Sequence, residues 1–127
     1  MAASTRGAAL VTGGARRIGR TLVLACARAG YDVAIHCRAV DDDAQAAAAD
    51  VRSLGRKAYL HPCDLRQEAA AAPMVGDVEA EPGPVTLLVN CASTFEGGAF
   101  SSMNRASWDA HMETKIRAPP GRSLIRI

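Results

Sequence analysis

The chain has 127 residues, a length that fits one domain with a sizeable hydrophobic core. Hydrophobic residues make up 49% and charged residues 22% of it, a balance that argues against disorder. The formal net charge of +2 is too small to indicate nucleic acid or an anionic membrane as a partner. No apolar run approaches the roughly 20 residues of a membrane span, and residues 1–7 lack a signal-peptide core, so we expect a cytoplasmic protein.

The cysteines and histidines show no Cys-x-x-Cys motif and no ligand pair at a usual metal spacing. We therefore expect free thiols in a reducing compartment and no metal site. These residues are Cys26, Cys37, Cys63, Cys91, His36, His61 and His111.

Strand and helix patterns alternate from the start of the chain. Residues 8–12 are apolar or β-branched and predict a buried strand, which Gly13 and Gly14 end. A helical pattern then covers residues 16–29, and Gly30 is expected to end it in a left-handed conformation. The apolar face of that helix is predicted to consist of Ile18, Leu22, Ala25 and Ala29.

Three further strands are predicted, at residues 32–36, 58–62 and 85–89. The last is a continuous apolar run, typical of a strand that is covered on both faces. Four alternations with short links predict an incomplete Rossmann-type, doubly wound parallel sheet of the α/β class, with about four strands and flanking helices. Ligands of such a sheet bind at the carboxyl ends of its strands.

The later helices differ in how clearly the sequence predicts them. Residues 44–54 read as a helix that Gly55 ends. Residues 67–81 predict a short or broken helix, because Pro73 and Gly76 lie inside that segment. A last helix is expected from a cap at Asn104 to residue 117, with Trp108, Met112 and Ile116 on one face.

The first strand, the glycine turn and the first helix together predict a phosphate site. Such a turn leaves the first backbone N–H groups of the helix unpaired, at the positive end of the helix dipole. Gly13 allows close approach of a ligand, Gly19 allows close packing of helix on strand, and Arg16 and Arg17 add two cations. The alternative is that Gly13 and Gly14 form only a tight strand-to-helix turn.

The segment from Thr12 to Gly19 resembles the Thr-Gly-x-x-x-Gly-x-Gly fingerprint of short-chain dehydrogenases/reductases. Arg17 stands at the middle glycine, which is similar to the pteridine reductase branch of that family. The resemblance implies a dinucleotide cofactor lying against this turn. The implied contacts are Gly13, Arg16, Arg17, Ile18 and Gly19.

His36 and Arg38 follow the second strand, where an NAD-selective site would carry an acid to bind the ribose 2′-hydroxyl. No acid is present there, and Asp32 lies at the opposite end of the strand. Arg38, helped by Arg16, would instead neutralise a 2′-phosphate through paired hydrogen bonds, so NADP (NADPH) is favoured over NAD. The alternative is that Arg38 is a solvated loop arginine.

The ends of the third and fourth strands complete the expected site. The resemblance implies that Asp64 and Leu65 contact the adenine ring, although Asp64 could equally cap the next helix. Asn90-Cys91-Ala92-Ser93 stands where the family usually has Asn-Asn-Ala-Gly, and the pteridine reductases are similar in ending with Ser. Phe95 would stack on a bound pterin by the same resemblance, or else fill a small gap in the core.

The catalytic group that the resemblance implies is absent from the sequence. Reduction in this family uses a Ser and a Tyr followed four residues later by Lys. The residues four positions after Tyr31 and Tyr59 are Ile35 and Cys63, so we name no catalytic residue. Lys115 stands where the family carries an Asn and could be a replacement lysine, but it has no Tyr partner.

We therefore expect an NADP-binding Rossmann-like domain at residues 1–119 and an unrelated tail at 120–127, the product of a shifted reading frame. Three functions remain: an inert cofactor-binding half of a reductase, a half-enzyme that a partner chain completes, and a non-catalytic nucleotide-binding or interaction module. A pterin or carbonyl substrate is expected only for an intact homologue. The open edge of the fourth strand is expected to favour self-association.

Overall fold

The computed structural model describes residues 4–93 and 98–117. Across these residues strands and helices alternate as the sequence predicts. The strands are β1 (Ala8–Val11), β2 (Asp32–Cys37), β3 (Ala58–Pro62) and β4 (Val85–Val89). The α-helices are α1 (Arg17–Arg28), α2 (Asp42–Ser53), α3 (Glu68–Ala71), α4 (Met74–Ala80) and α5 (Arg105–Met112). A 3₁₀ turn (Phe100–Ser102) precedes α5, and a π-helical turn (Glu113–Arg117) follows it.

The strands form one parallel sheet in the order β3-β2-β1-β4. The chain runs outward from β1 to β3 and then returns to the other side of β1 with β4. The strand order therefore reverses beside β1, and the carboxyl ends of all four strands meet at one edge. The predicted Rossmann-type sheet is confirmed.

Helices cover both faces of the sheet. Ala9 and Val11 pack on one face with residues of α1 and α2, whereas Leu10 packs on the other face with Met74 and Val78 of α4. β1 is completely buried between these two clusters. In the part of the chain that the structure describes, no helix is long and apolar enough to cross a membrane.

The predicted apolar face of α1 is wrong by one position. Ile18 is 70% exposed, and Ala25 and Ala29 also face solvent. The buried residues of α1 are Gly19, Val23, Cys26 and Ala27. The rotation of the helix is set by Gly19, whose lack of a side chain lets α1 approach the glycine turn more closely than any larger residue allows.

Both long helices end as predicted, at glycines in left-handed conformation. Gly30 has φ +98° and Gly55 has φ +81°. At Gly30 the backbone N–H donates to the Ala27 carbonyl at 3.1 Å, and the next N–H, of Tyr31, donates to Cys26 at 3.1 Å. This pair of bonds satisfies the last carbonyl groups of α1.

The connection between β3 and β4 is broken where the sequence predicts. α3 ends before Pro73, and Pro73 then begins α4, where its missing N–H leaves no helical bond unmade. Gly76 is exposed inside α4. All four cysteines are free thiols, as expected.

The last helix and β4 differ from the prediction. The cap at Asn104 is confirmed, since Ser107 N–H donates to its Oδ1 at 2.9 Å, but α5 ends at Met112 and a π-helical turn replaces its predicted last turn. Trp108 and Met112 are 51% and 37% exposed, and the Ile116 side chain lies outside the described residues. β4 is half-buried rather than covered, because it is an edge strand of the described sheet.

Candidate functional site

A cavity of about 170 Å³ opens at the carboxyl edge of the sheet, and residues that follow all four strands line it. The predicted site residues that line it are Gly13, His36, Arg38, Asp64, Leu65, Ala92 and Ser93. Cys63, Arg66 and Thr114 also line it, and the sequence analysis missed them. Thr114 comes from the π-helical turn after α5, where no strand ends and no motif signals a site.

The N-terminus of α1 faces this edge without a side-chain cap. Arg16 is the N-cap residue in extended conformation, its side chain makes no capping bond, and the first turn holds no acidic residue. The Arg20 N–H donates to the Arg16 carbonyl at 3.3 Å, so the N–H groups of Arg17, Ile18 and Gly19 precede the first helical bond. These N–H groups and the helix dipole suit an anion.

Two glycines shape the turn between β1 and α1. Gly13 has φ +63°, and a Cβ there would lie 2.8 Å from the Cα of Ala92. A Cβ on Gly19 would lie 1.9 Å from the carbonyl oxygen of Gly13. Both positions therefore require glycine for steric reasons that the sequence motif alone does not show.

His36 is buried at the cavity and links two backbone segments through hydrogen bonds. Its Nδ1 accepts the Gly13 N–H at 3.0 Å, and its Nε2 lies 2.9 Å from the Cys63 carbonyl oxygen, to which it must donate. These two bonds define a neutral ring with its proton on Nε2. His36 thus joins the ends of β1, β2 and β3, and it can act on a ligand through the position of the Gly13 turn.

Thr12 makes the corresponding connection to β4, a role that the sequence did not indicate although Thr12 opens the fingerprint. Its buried Oγ1 accepts the N–H groups of Cys91 and Ala92, each at 3.0 Å. The Cys91 side chain packs against the core, whereas Asn90 and Ser93 are exposed. A β-branched hydroxyl next to a glycine turn is the signal that could have identified Thr12.

Arg16 is engaged by the first turn of α2. Its guanidinium forms ion pairs with Asp41 and with Asp43, the latter at 2.6 Å between Nε and Oδ2. The hydrogen bond that Arg16 donates to Asp43 and the charge of Asp41 raise the pKa of Arg16 above its ordinary value. Arg16 therefore lies at the predicted edge of the sheet but is not among the residues that line the cavity.

Arg38 and Arg66 are exposed arginines that line the cavity, and Arg66 forms an ion pair with Asp64. Arg66 donates to Asp64 from Nε at 3.0 Å and from Nη2 at 2.8 Å. These hydrogen bonds are the main reason that the pKa of Asp64 is lowered to about 2. Asp64 does not cap the next helix, since α3 begins at Glu68 with Gln67 as its N-cap.

The remaining residues that the sequence singled out lie elsewhere. Arg17 and Ile18 are exposed at the start of α1, and Arg17 adopts the left-handed φ of 53° that glycine would take without strain. Asp32 pairs with Arg56 at 3.0 Å at the amino edge of the sheet, as predicted. Phe95 lies outside the described residues.

Neither tyrosine lies in the cavity. The Tyr31 ring packs under Arg6 at 5.0 Å, next to the C-terminal end of α1, and Tyr59 lies within β3. Lys115 is exposed in the π-helical turn. The described residues therefore bring no tyrosine and lysine together at this edge of the sheet.

The sequence profile described as short chain dehydrogenase matches residues 7–119. The chain belongs to the short-chain dehydrogenase family. It is 33% identical over 108 residues to the 3-oxoacyl-[acyl-carrier-protein] reductase FabG of Aggregatibacter actinomycetemcomitans, and the match covers 84% of this chain and 44% of that protein.

Solved structures of this family have the same fold. A short chain dehydrogenase from Burkholderia cenocepacia in complex with NADP is 32% identical, with a TM-score of 0.90, over 94% of this chain and 49% of that one. FolM alternative dihydrofolate reductase 1 from Brucella canis, complexed with NADP, is 34% identical with a TM-score of 0.84, over 94% and 48%. The chain thus spans about half the length of the short-chain dehydrogenases that it matches.

Proposed function

We propose that residues 1–119 bind NADP(H) as the N-terminal, cofactor-binding half of a short-chain reductase. The observation that carries this proposal is the uncapped N-terminus of α1, which faces the carboxyl edge of the sheet beside the Gly13 turn. Arg38 supplies an exposed cation at the cavity on the same edge. Related structures that were solved with NADP support the choice of cofactor.

The residues present fit this cofactor. The N–H groups that begin α1 suit the linking phosphates. Arg38 suits the 2′-phosphate, because a guanidinium pairs with phosphate through two parallel hydrogen bonds. Leu65 offers an apolar surface to adenine, and Ala92 and Ser93 are small enough for a ribose to lie against them. When bound, NADPH supplies a hydride donor.

The substrate of an intact homologue is proposed to be a pterin or a carbonyl compound. Two features support this assignment: Arg17 at the middle glycine of the turn, and Ser93 at the end of the loop after β4. The likeness to FolM alternative dihydrofolate reductase 1 from Brucella canis points the same way.

The 127-residue chain on its own is proposed not to transfer hydride. Its sequence has no tyrosine followed four residues later by lysine, which the resemblance implies for proton donation. Residues 120–127 are proposed to be a tail unrelated to the family, and they lie outside the described residues. The nucleotide sequence tests that proposal: a second frame that encodes a Tyr-x-x-x-Lys continuation is expected, and its absence would reject the frameshift.

Calorimetric titration of the full chain tests nucleotide binding. We expect 2′,5′-ADP to bind about tenfold or more tightly than 5′-ADP, because the extra phosphate gains charge-assisted hydrogen bonds. Arg38→Ala should remove most of that preference. Arg28→Ala is the matched control, since it deletes an exposed arginine in the last turn of α1, at the far end of the helix. Equal affinity for both nucleotides in the unmodified chain would reject the proposal.

A second candidate is a half-enzyme that a partner chain completes. The edge position of β4 supports it, because an open strand edge can pair with another chain. Turnover of NADPH with oxidised or quinonoid pterins distinguishes the two: we expect none with this chain alone. Turnover that appears only when a chain carrying the missing strands is added would favour the half-enzyme. NADPH binding without turnover in either mixture would leave a nucleotide-binding module.

A further inference from the structure

The ion pairs of Arg16 connect the open N-terminus of α1 to the first turn of α2. Arg16 is the N-cap residue of α1, and its side chain is 62% exposed. It bonds to Asp41 and Asp43 of the neighbouring helix. A cation positioned to meet a nucleotide phosphate is therefore held by two carboxylates of the same chain.

The three consecutive acids of this turn have different tasks. Asp41 is the N-cap of α2, where its Oδ1 accepts the Ala44 N–H at 2.9 Å, so it has a structural role besides Arg16. Asp43 bonds to Arg16 at 2.6 Å and caps nothing. Asp42 is exposed in the same turn and makes no ion pair with the described residues.

We propose that Asp43 is a specificity-determining residue, which weakens the preference for 2′-phosphorylated nucleotides by competing with the phosphate for Arg16. This inference rests on the proposed NADP(H) site. A guanidinium that bonds to a carboxylate through Nε cannot offer the same N–H to phosphate, and the carboxylate also repels the phosphate. Arg38 forms no ion pair with the described residues, and the carboxylate of Asp64 in the same cavity is bonded to Arg66, so the competition falls on Arg16.

The size of the effect follows from exposure. The Arg16 and Asp43 side chains are 62% and 54% exposed, so solvent screens their attraction and the competition is modest. Removing the Asp43 charge, while Asp41 still pairs with Arg16, should tighten the binding of a 2′-phosphorylated nucleotide about threefold. Nucleotides without that phosphate should be nearly unaffected.

Calorimetric titration of the full chain with 2′,5′-ADP and with 5′-ADP provides the test. Asp43→Asn is expected to raise the ratio of the two affinities about threefold. Asp42→Asn is the matched control: it removes the same charge from the same turn without releasing Arg16, and it should change the ratio little. Raising the salt concentration should shrink the gain in Asp43→Asn, because the competition is electrostatic.

A double variant identifies Arg16 as the residue through which Asp43 acts. In an Arg16→Ala background, Asp43→Asn should leave the ratio unchanged. An equal rise in the Asp42 and Asp43 variants, or a rise that survives Arg16→Ala, would overturn the inference and assign the effect to net charge. A fall in Asp43→Asn would overturn it too, since Asp43 would then position Arg16 for the phosphate. Far-ultraviolet circular dichroism confirms that each variant is folded.

This design separates the inference from the proposed function. If the unmodified chain prefers 2′,5′-ADP and Asp43→Asn does not change that preference, only the inference fails. If the unmodified chain shows no preference, the proposed NADP(H) site fails, and the inference that rests on it fails with it.

Discussion

The N-termini of α1 and α2 lie at the same edge of the sheet, and the chain treats them in opposite ways. Both helices have 12 residues, and each follows a buried parallel strand. α2 is capped by Asp41 and has two more acids in its first turn. α1 has neither a side-chain cap nor an acid in its first turn. The positive end of one helix is satisfied within the chain, whereas the other remains available to a ligand.

This difference shows how one fold separates stability from binding. A capped helix gains stability because its first N–H groups have acceptors and its dipole meets negative charge. An uncapped helix forgoes that gain and keeps donors for an anion. The five predictions that follow test this difference, three at the N-terminus of α1 and two at that of α2.

The largest effect is expected at the close contact of α1 with its own turn. Gly19→Ala places a Cβ 1.9 Å from the Gly13 carbonyl oxygen, so α1 must shift and the free energy of unfolding should fall by about 3 kcal/mol. Urea denaturation measures this change. Gly76→Ala, at an exposed position of α4, is the control: its Cβ meets nothing within 4 Å, and the change should stabilise by about 0.5–1 kcal/mol. Similar losses in both variants would show that the close contact does not set the position of α1.

The next largest effect is expected at His36, which supports the Gly13 turn. His36→Phe removes the acceptor of the Gly13 N–H and the donor to the Cys63 carbonyl, which should cost about 2 kcal/mol of unfolding free energy. Binding of 2′,5′-ADP should weaken in the same variant, because the turn that opens α1 loses its support. His61→Phe is the control, as His61 is the register partner of His36 on β3 and has no side-chain bond to the described residues. Unchanged binding in His36→Phe would show that His36 does not support the nucleotide site.

At the other terminus, Asp41→Ala removes the cap of α2. We expect the thermal midpoint to fall by a few degrees, since the Ala44 N–H loses its acceptor. Asp41→Asn keeps an acceptor oxygen and should recover most of the loss. Asp42→Ala, which removes an acid but no cap, controls for charge. A loss in Asp42→Ala as large as that in Asp41→Ala would contradict the assignment of the cap.

Acid should act on the same cap. The Ala44 N–H, with a contribution from Arg16, lowers the pKa of Asp41 below its ordinary value. A group whose pKa is lower in the folded state stabilises above its unfolded pKa of about 4, and that stabilisation is lost as pH falls through the folded value. The unmodified chain should therefore lose stability relative to Asp41→Asn below pH 4, and the difference between their thermal midpoints should stay constant above pH 5. A difference that changes near neutral pH would contradict this origin.

The smallest effect is expected at Arg17. Its φ of 53° costs a non-glycine residue about 1 kcal/mol, and glycine at this position would relieve that strain but gain entropy when unfolded. Arg17→Gly should therefore stabilise by only about 0.5 kcal/mol. Arg17→Asn, which tolerates the left-handed region, should be close to neutral, and a clear loss in both variants would assign Arg17 a stabilising contact.

The sequence predicted the order of elements because apolar runs and glycine ends are local signals. The strand at residues 85–89, the turn at Gly13 and the break at Pro73 all depend on residues that adjoin them. The rotation of α1 does not follow from hydrophobicity, since Ile18 is more apolar than Gly19, yet Gly19 is the one buried. The close approach of the α1 backbone to the Gly13 turn sets that orientation, and the spacing of apolar residues does not reveal it.

In the candidate site too, the features that follow from local signals were predictable and the contacts that depend on packing were not. That Arg38, Asp64 and Ser93 share an edge follows from the parallel sheet. The ion pairs of Arg16 involve acids 25 and 27 residues away, and the bonds of His36 reach the backbone of two other strands. Such partners depend on the packing of α1 beside α2 and on the register of the strands, which the sequence pattern does not specify.

The hydrogen bonds that Thr12 accepts fix the segment after β4 that forms one wall of the cavity. The peptide that leaves β4 is anchored to the end of β1, because the N–H groups of Cys91 and Ala92 both donate to Thr12. A further strand that docked on β4 would meet the proposed nucleotide site with this wall already in place.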